Sequence, residues 1–234
     1  PYETLTKAFD DPRTQAGDLI VFDHRGTSET GDFTLAPGTQ VMSSGPAQFI
    51  NTQFGQQLLP GSNTGLFPQI NGSFTMNDRT LLSGFRIVTI DESPSIRADG
   101  AQQITITHNT ITNDANNGIF LKNARDIFIR NNTLQAIDDD MIEIVTSSGQ
   151  IVIADNTLRS LASDAGPAVF GDAISISVND DAQIDIDRNT ITSEVQGSDY
   201  GINITANAGD ITTRIRDNII TGFDFSLAGG IKYQ

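Results

Sequence analysis

From residue 104 onward, short runs alternate apolar and polar residues with period two, and the runs recur along the chain. The first type of run reads ITITHNTIT from residue 104, and its variants begin at residues 127, 151, 184 and 213. A second type reads GIFLK from residue 118 and recurs as MIEIV, AISIS, GINIT and GIKY. Period-two alternation interrupted by turn residues is typical of β-strands, so each repeat is predicted to hold three short strands.

A repeat of this size cannot close a hydrophobic core alone, so it must stack on its neighbours. The pattern therefore predicts a β-solenoid with parallel strands and inward columns that run along its axis. Two predicted columns are Ile104, Ile127, Ile151, Ile184, Thr213 and Ile106, Ile129, Ile153, Ile186, Ile215; two more are Ile111, Leu134, Leu158, Ile191, Ile220 and Ile119, Ile142, Ile174, Ile202. The β-branched residues favour strands over a helical solenoid, and leucines are too few for a leucine-rich repeat.

One asparagine recurs in every repeat. Its positions are Asn109, Asn132, Asn156, Asn189 and Asn218. We expect this asparagine at a sharp corner between two strands, because Asn tolerates the left-handed backbone conformation, and we expect the stacked amides to hydrogen-bond along the column. One repeat earlier, LLSGFRI (81–87) is predicted to place Gly84 at the asparagine position, since glycine accepts the same corner.

These features resemble the right-handed parallel β-helix of the pectate-lyase type, which carries an asparagine ladder at one turn. The resemblance covers residues 81–234, which we expect to form regular coils. The opening PYETLTKAFDDPRTQAGDLIVF is similar to the entry of secreted bacterial β-helix proteins. The resemblance therefore implies an all-β fold, a right-handed parallel β-helix with a short N-terminal capping helix.

The predicted organisation is a single domain over residues 1–234. Residues 1–22 hold the cap and first strand, and residues 23–80, rich in Gly, Pro and Asn, form irregular early coils with long turns. The closing GGIKYQ shows no polar cap, so we expect the native protein to be longer and to carry further domains.

The charge balance limits the classes of partner that the protein is expected to bind. The net charge is −15, which opposes binding to nucleic acid or to anionic membranes. The chain contains no cysteine, so neither disulfides nor thiolate metal sites are available. No apolar run reaches membrane-spanning length, so we expect no membrane insertion of this segment.

Candidate chemistry concentrates in one turn, where Asp138, Asp139 and Asp140 precede the strand MIEIV. The register aligns the residues before this strand in four coils as Asn117, Asp140, Asp172 and Tyr200. It aligns the outward residues along the strand as Phe120, Glu143, Ser175 and Asn203. Because stacked coils lie about 4.8 Å apart, Asp140 and Asp172 are predicted neighbours, with Glu143 close by. Carboxylates at that distance raise one another's pKa or recruit a cation.

Three interpretations of this turn stay open. It is a solvated acidic turn, a calcium site formed by Asp138, Asp139, Asp140 and Asp172, or a catalytic site that uses Asp139, Asp140 and Asp172. The strings DDDMIEI and GDAISI resemble the aspartate-containing strand of polygalacturonase-like glycosidases, but the Gly-His-Gly motif of that family is missing. For a lyase reaction, the best outward base is Lys122, which comes from the preceding coil.

A longer turn (160–172) lies beside the acidic turn and is either a tolerated insertion or a binding loop with an apolar contact through Phe170. The predicted ligand-binding residues are Phe120, Lys122, Glu143, Phe170 and Tyr200. Elsewhere, Asp187 with Arg216, Asp185 with Arg214, and Asp155, Arg188 and Asp217 are expected to pair between coils. His108 is expected to be an exposed turn residue.

We therefore expect a non-catalytic bacterial scaffold, secreted or at the cell surface and adhesin- or passenger-like, that engages polysaccharide or calcium. It requires no cofactor, with calcium as the one ion considered. The alternative is a polysaccharide lyase or glycoside hydrolase acting on an acidic polysaccharide. Sugar sites favour aromatic platforms, and the chain has no Trp and only three Tyr.

Overall fold

The computed structural model describes residues 4–23, 28–113, 116–136, 139–160, 171–194, 200–223 and 231–233. These residues form one short helix and a series of short, mostly parallel strands. In chain order the elements are α1 (Leu5–Asp10), β1 (Leu19–Phe22), β2 (Glu29–Thr30), β3 (Phe33–Thr34), β4 (Gln40–Ser43), β5 (Phe49–Thr52), β6 (Gly55–Leu58), β7 (Gln69–Asn71), β8 (Phe74–Thr75), β9 (Leu81–Ser83), β10 (Arg86–Thr89), β11 (Ile96–Asp99), β12 (Gln102–Thr107), β13 (Thr110–Asn113), β14 (Ile119–Lys122), β15 (Arg125–Arg130), β16 (Thr133–Ala136), β17 (Ile142–Ala154), β18 (Thr157–Ser160), β19 (Ile174–Asp187), β20 (Thr190–Ser193), β21 (Ile202–Ala206), β22 (Ile211–Arg216), β23 (Ile219–Thr221) and β24 (Ile231–Tyr233).

The strands line up as three walls of a β-helix. The first wall runs β1, β4, β9, β12, β15, the second halves of β17 and β19, and β22. The second wall runs β2, β7, β10, β13, β16, β18, β20 and β23. The third wall runs β3, β8, β11, β14, the first halves of β17 and β19, β21 and β24. Because β17 and β19 continue from the third wall into the first, these two walls form one sheet. The all-β parallel β-helix is therefore confirmed.

The predicted inward columns are confirmed residue by residue in the strand register. Ile104, Ile127, Ile151 and Ile184 pair in succession along the first wall, and the other three columns pair in the same way. In the first three columns, every residue from Ile104 to Ile191 is fully buried and belongs to one hydrophobic core. Burial of stacked β-branched side chains is the main stabilising contribution of this fold.

The asparagine ladder lies at the corner between the first and second walls. Through Oδ1, each ladder asparagine accepts a backbone N–H from one coil earlier. Asn109 accepts that of Phe85 at 3.0 Å, and the later ones accept that of the preceding ladder asparagine: Asn132 from Asn109 at 2.9 Å, Asn156 from Asn132 at 2.9 Å, and Asn189 from Asn156 at 3.0 Å. The amide of Asn132 also donates to the carbonyl of Ile106 at 2.9 Å. The buried backbone groups of a sharp corner are thereby satisfied by side chains.

The predicted position of the left-handed residue was wrong by one. The positive φ belongs to the residue before each ladder asparagine, as at His108 (55°). Ile87 pairs with Ile111, so Gly84 (φ 89°) aligns with His108, and Phe85 aligns with Asn109. The physical reason is that the chain turns at the preceding residue, which directs the following amide inward to the backbone groups of adjacent coils. The same left-handed conformation recurs at Asn131, Asp155, Arg188 and Asp217.

The predicted N-terminal capping helix is also confirmed. Thr4 caps α1, its hydroxyl accepting the N–H of Lys7 at 3.1 Å. Leu5 and Ala8 are buried, and Phe9 packs against Phe33 with ring centroids 5.5 Å apart. The apolar face of the helix thus covers the open end of the core.

One element of the early coils was not expected. Strands β5 and β6 form an antiparallel hairpin between β4 of the first wall and β7 of the second, in place of a simple long turn. Buried Gln48 anchors its base, donating to the Oγ of Ser83 at 2.8 Å and to the carbonyl of Ser43 at 3.2 Å. The sequence pattern missed the hairpin because its strands lack alternation of apolar and polar residues.

Within the described part of the chain, the helix found is far too short and polar to cross a membrane. The boundaries proposed for the single domain, and its continuation into a longer protein, stay predictions.

Candidate functional site

The acidic residues singled out in the sequence lie at the corner where the chain enters the third wall. Backbone hydrogen bonds stack the residues that precede each third-wall strand. The N–H of Gly118 donates to the carbonyl of Asp140 at 3.3 Å, that of Met141 to Asp172 at 3.2 Å, and that of Ala173 to Tyr200 at 2.9 Å. The predicted order Asn117, Asp140, Asp172, Tyr200 is therefore the order of stacking. We call Asp139, Asp140, Glu143 and Asp172 the acidic corner.

Two carboxylates of the acidic corner bind backbone amides of the next coil. The Oδ1 of Asp140 accepts the N–H of Asp172, and the Oδ1 of Asp172 accepts the N–H of Tyr200 at 2.8 Å. Asp140 is only 9% exposed and Asp172 only 7%. Gly171 permits this approach, since a Cβ at that position would collide with the Asp140 carboxylate. The two aspartates therefore act as a second side-chain ladder, parallel to the asparagine ladder.

Burial and like charges perturb the proton affinity of Asp140. Desolvation is the largest cause, and together with the negative charges of Asp172, Asp139 and Glu143 it raises the pKa of Asp140 to about 8. The hydrogen bond from the backbone of Asp172 opposes this shift, because it stabilises the ionised form. At neutral pH Asp140 therefore holds a proton in much of the population.

Glu143 lies on the outward side of the third wall. It pairs with Phe120 on the preceding coil and with Ser175 on the following coil. Its Oε2 accepts a hydrogen bond from the amide of Asn117 at 3.0 Å. Burial is the main cause that raises the pKa of Glu143, with further contributions from the charges of Asp139 and Asp172. Two carboxyls of the corner thus have proton affinities above the ordinary range.

The remaining predicted site residues divide into three groups. Phe120 is half-buried between Arg97 and Glu143 in the outward column, and Lys122 is exposed two positions further along the same strand. Tyr200 is half-buried and contributes its backbone N–H to Asp172. Asp138 and Phe170 lie outside the described residues, as does most of the 160–172 turn.

Asn203 is a neighbour of the acidic corner that sequence reasoning placed on the wall but did not treat as functional. Its Nδ2 donates to the Oδ2 of Asp172 at 2.7 Å. Its Oδ1 is buried and is one of the side-chain oxygens of the described residues without a hydrogen-bond partner. Its position in the column Glu143, Ser175, Asn203 was the available signal.

A family described as "Right handed beta helix region" matches residues 60–227, which is well over half of the chain. The chain belongs to the right-handed β-helix family. No curated protein and no solved structure matches the sequence of this β-helix protein.

The predicted cation site comprises Asp138, Asp139, Asp140 and Asp172. Among the described residues, no group of three or more Asp, Glu or His side chains is arranged to hold a metal ion. Asp139 is exposed and turned toward its own backbone, its Oδ1 accepting the N–H of Asp140 at 2.9 Å. Since Asp138 lies outside the described residues, the four-residue calcium site stays a prediction.

The inter-coil ion pairs that the sequence predicts lie away from the acidic corner, on the first wall and at the asparagine corner. Arg214 pairs with Asp185 at 2.8 Å, and Arg188 pairs with Asp155 at 2.7 Å, as predicted. His108 adopts the left-handed corner conformation with a half-buried side chain, and its Nδ1 hydrogen-bonds the hydroxyl of Thr107 at 2.8 Å. The expectation of an exposed turn residue was therefore wrong, since the side chain is half-buried.

Proposed function

We propose that this β-helix is a non-catalytic scaffold of a secreted or cell-surface bacterial protein, adhesin- or passenger-like. Its regular coils hold a binding surface at a fixed distance and orientation. The acidic corner is part of the outer surface and engages polysaccharide or a cation only as a secondary property.

One observation carries this proposal. The two most buried carboxylates of the corner are occupied with backbone amides of successive coils, those of Asp172 and Tyr200. A carboxylate that caps buried backbone groups is held in place by the fold, and it is poorly placed to act as a nucleophile or as a mobile base. The acids therefore have a structural explanation that requires no substrate.

The electrostatics support the same proposal. The charges that shift the pKa values of Asp140 and Glu143 all come from other acids of the corner. A lyase reaction needs a basic side chain beside its acids, and Lys122 lies on an exposed position of the preceding coil. Scaffolding requires only the repeat, which the chain has in full.

The proposal also includes calcium binding at the outer surface. The unpartnered Oδ1 of Asn203 beside Asp172 is the hard-oxygen donor that supports it. The measurement is calorimetric titration of calcium into the wild type and into Asp140→Asn. Binding that persists unchanged in Asp140→Asn would remove the acidic corner from the explanation, and binding that persists in a separate Asn203→Ala variant would remove Asn203 from it.

A second candidate function is glycoside hydrolysis, which the raised pKa of Asp140 favours. A carboxyl that keeps its proton near neutral pH is the form that a general acid requires, and the neighbouring Asp139 would supply the second carboxyl group of such a pair. In this case the corner would protonate a glycosidic oxygen of an acidic polysaccharide.

One experiment separates the two functions. Release of reducing or unsaturated sugar ends from a panel of acidic polysaccharides is measured for the wild type and for Asp139→Ala combined with Asp140→Ala. The matched control replaces Asp180 and Asp181, two consecutive exposed aspartates of β19, by alanine. The scaffold proposal expects no turnover in any of the three proteins. Turnover that is lost in the corner variant and kept in the control would overturn it.

A further inference from the structure

The early coils of this β-helix contain a long stretch without charge. From residue 33 to residue 77 the sequence has no Asp, Glu, Lys, Arg or His, although the whole chain carries a net charge of −15. The stretch includes the hairpin β5–β6 and the loop that follows it. Acidic proteins repel one another through their surfaces, so an uncharged region is where two copies approach at least cost.

The hairpin within this stretch exposes large apolar side chains. Phe49 and Leu58 face each other across the two strands, and both are about half exposed (52% and 50%). Phe54 at the turn is 81% exposed. Leu66 and Phe67 in the following loop are exposed as well. Clusters of exposed apolar residues of this kind mark interaction surfaces.

The strands of the hairpin also have backbone edges to offer. Among the described strands, β5 and β6 pair only with each other, in a two-stranded sheet separate from the walls. An isolated two-stranded sheet has little stability in water, and its outer edges can accept another strand.

The base of the hairpin is nevertheless well anchored. Leu59 is buried, and its N–H donates to the carbonyl of Gln48 at 2.7 Å. The N–H groups of Asn63 and Thr64 donate to the carbonyls of Pro46 and Ser44 at 2.9 and 3.1 Å. The fold therefore presents the apolar end of the hairpin at a defined position on the asparagine corner.

We propose that this hairpin is a self-association surface and that its partner is the hairpin of a second copy of the chain. Twofold pairing of like edges joins two hairpins into one four-stranded antiparallel sheet. It buries Phe49 and Leu58 of both copies, and the uncharged stretch keeps like charges out of the interface. Two aliphatic side chains, Leu58 and Leu66, favour a protein partner over a sugar, which stacks on aromatic rings. The proposal is independent of the scaffold function and of the acidic corner.

The test is sedimentation velocity of the full chain over a wide concentration range. The wild type is expected to shift toward twice the mass of one chain as its concentration rises. Leu58→Glu is expected to raise the dimer dissociation constant by about tenfold or more, because it places a negative charge from each copy in the interface between them. The matched control is Ile90→Glu, which introduces the same charge at an exposed isoleucine (79%) outside the uncharged stretch and should leave association unchanged.

Thermal unfolding of both variants checks the fold, and both should match the wild type since the replaced side chains are exposed. A wild type that stays monomeric at all concentrations would overturn the proposal, even if it binds an uncharged polysaccharide. Equal loss of association in Leu58→Glu and Ile90→Glu would also overturn it, because the effect would then be one of net charge alone.

Discussion

The two side-chain ladders of this β-helix perform the same task with different chemistry. At the asparagine corner and at the acidic corner, a side-chain oxygen from one coil accepts a backbone N–H from its neighbour, as Asn132 does for Asn109 and Asp140 does for Asp172. An amide also donates, so Asn132 satisfies the carbonyl of Ile106 in addition. A carboxylate only accepts, and its stacked charges repel. The same corner geometry is therefore independent of pH when amides form the ladder and dependent on pH when acids form it.

The largest effect is expected from removing one amide of the asparagine ladder. Asn132→Ala leaves the buried N–H of Asn109 and the carbonyl of Ile106 without their partners. Because each unsatisfied buried group costs roughly 1–3 kcal/mol, we expect a loss of about 3 kcal/mol or more in the free energy of unfolding. Urea denaturation at pH 7 measures it, and the control is Asn131→Ala, which changes the exposed left-handed corner residue but removes no hydrogen bond of the ladder. A loss below that of the control would show that the ladder is dispensable.

The next effect comes from converting one corner into the other. Asn132→Asp keeps the acceptor for Asn109 but loses the donor to Ile106, and it places a carboxylate next to the Oδ1 of Asn156. Burial raises the pKa of this new acid, so its protonated form is the one compatible with folding. The destabilisation should therefore be smallest below about pH 4 and grow as pH rises, by about 2 kcal/mol in urea denaturation series. A loss of stability that is constant with pH would contradict the claim that acids make a ladder corner pH-dependent.

The reverse change is expected to stabilise the acidic corner. With its pKa raised to about 8 in the fold and an ordinary value near 3.8 when unfolded, Asp140 binds more protons in the native state between these limits. Its contribution to stability is thus fully present below about pH 4 and is lost as pH rises toward 8. Asp140→Asn removes this loss and keeps an acceptor for Asp172. We expect equal stability near pH 4 and a gain on the order of a few kcal/mol at pH 8.

The matched control for that gain is Asp180→Asn, an exposed aspartate of β19. Chemical denaturation at a series of pH values compares the two variants with the wild type. If both variants gain stability equally, the gain reflects net charge and not the corner.

The smallest effect is expected at a surface ion pair that belongs to neither ladder. Arg159 and Glu194 are each close to half exposed, and they join adjacent coils of the second wall. Since such pairs are screened by water, Glu194→Gln should cost no more than about 0.5 kcal/mol, and 0.5 M salt should abolish the difference. A larger or salt-independent cost would show that this surface ion pair stabilises the fold as strongly as the ladders do.

The candidate site was only partly accessible to sequence reasoning. The stacking of Asp140 on Asp172 follows from the repeat register, since a strand register carries every outward residue with it. Their bonds to backbone amides, the approach that Gly171 allows, and the unpartnered oxygen of Asn203 do not follow, because each depends on side-chain rotamers between coils about thirty residues apart. The raised pKa of Asp140 depends on burial, which register alone cannot fix.

The sequence by itself determined the fold class, the three strands per coil and the inward columns, because period-two alternation repeated over five coils admits one way to bury its isoleucines. Only the tertiary structure decided which corner residue is left-handed, how the acids are used, and that a hairpin leaves the wall at Phe49. These features rest on local backbone geometry and on contacts distant in sequence, for which the pattern of apolar residues carries no signal.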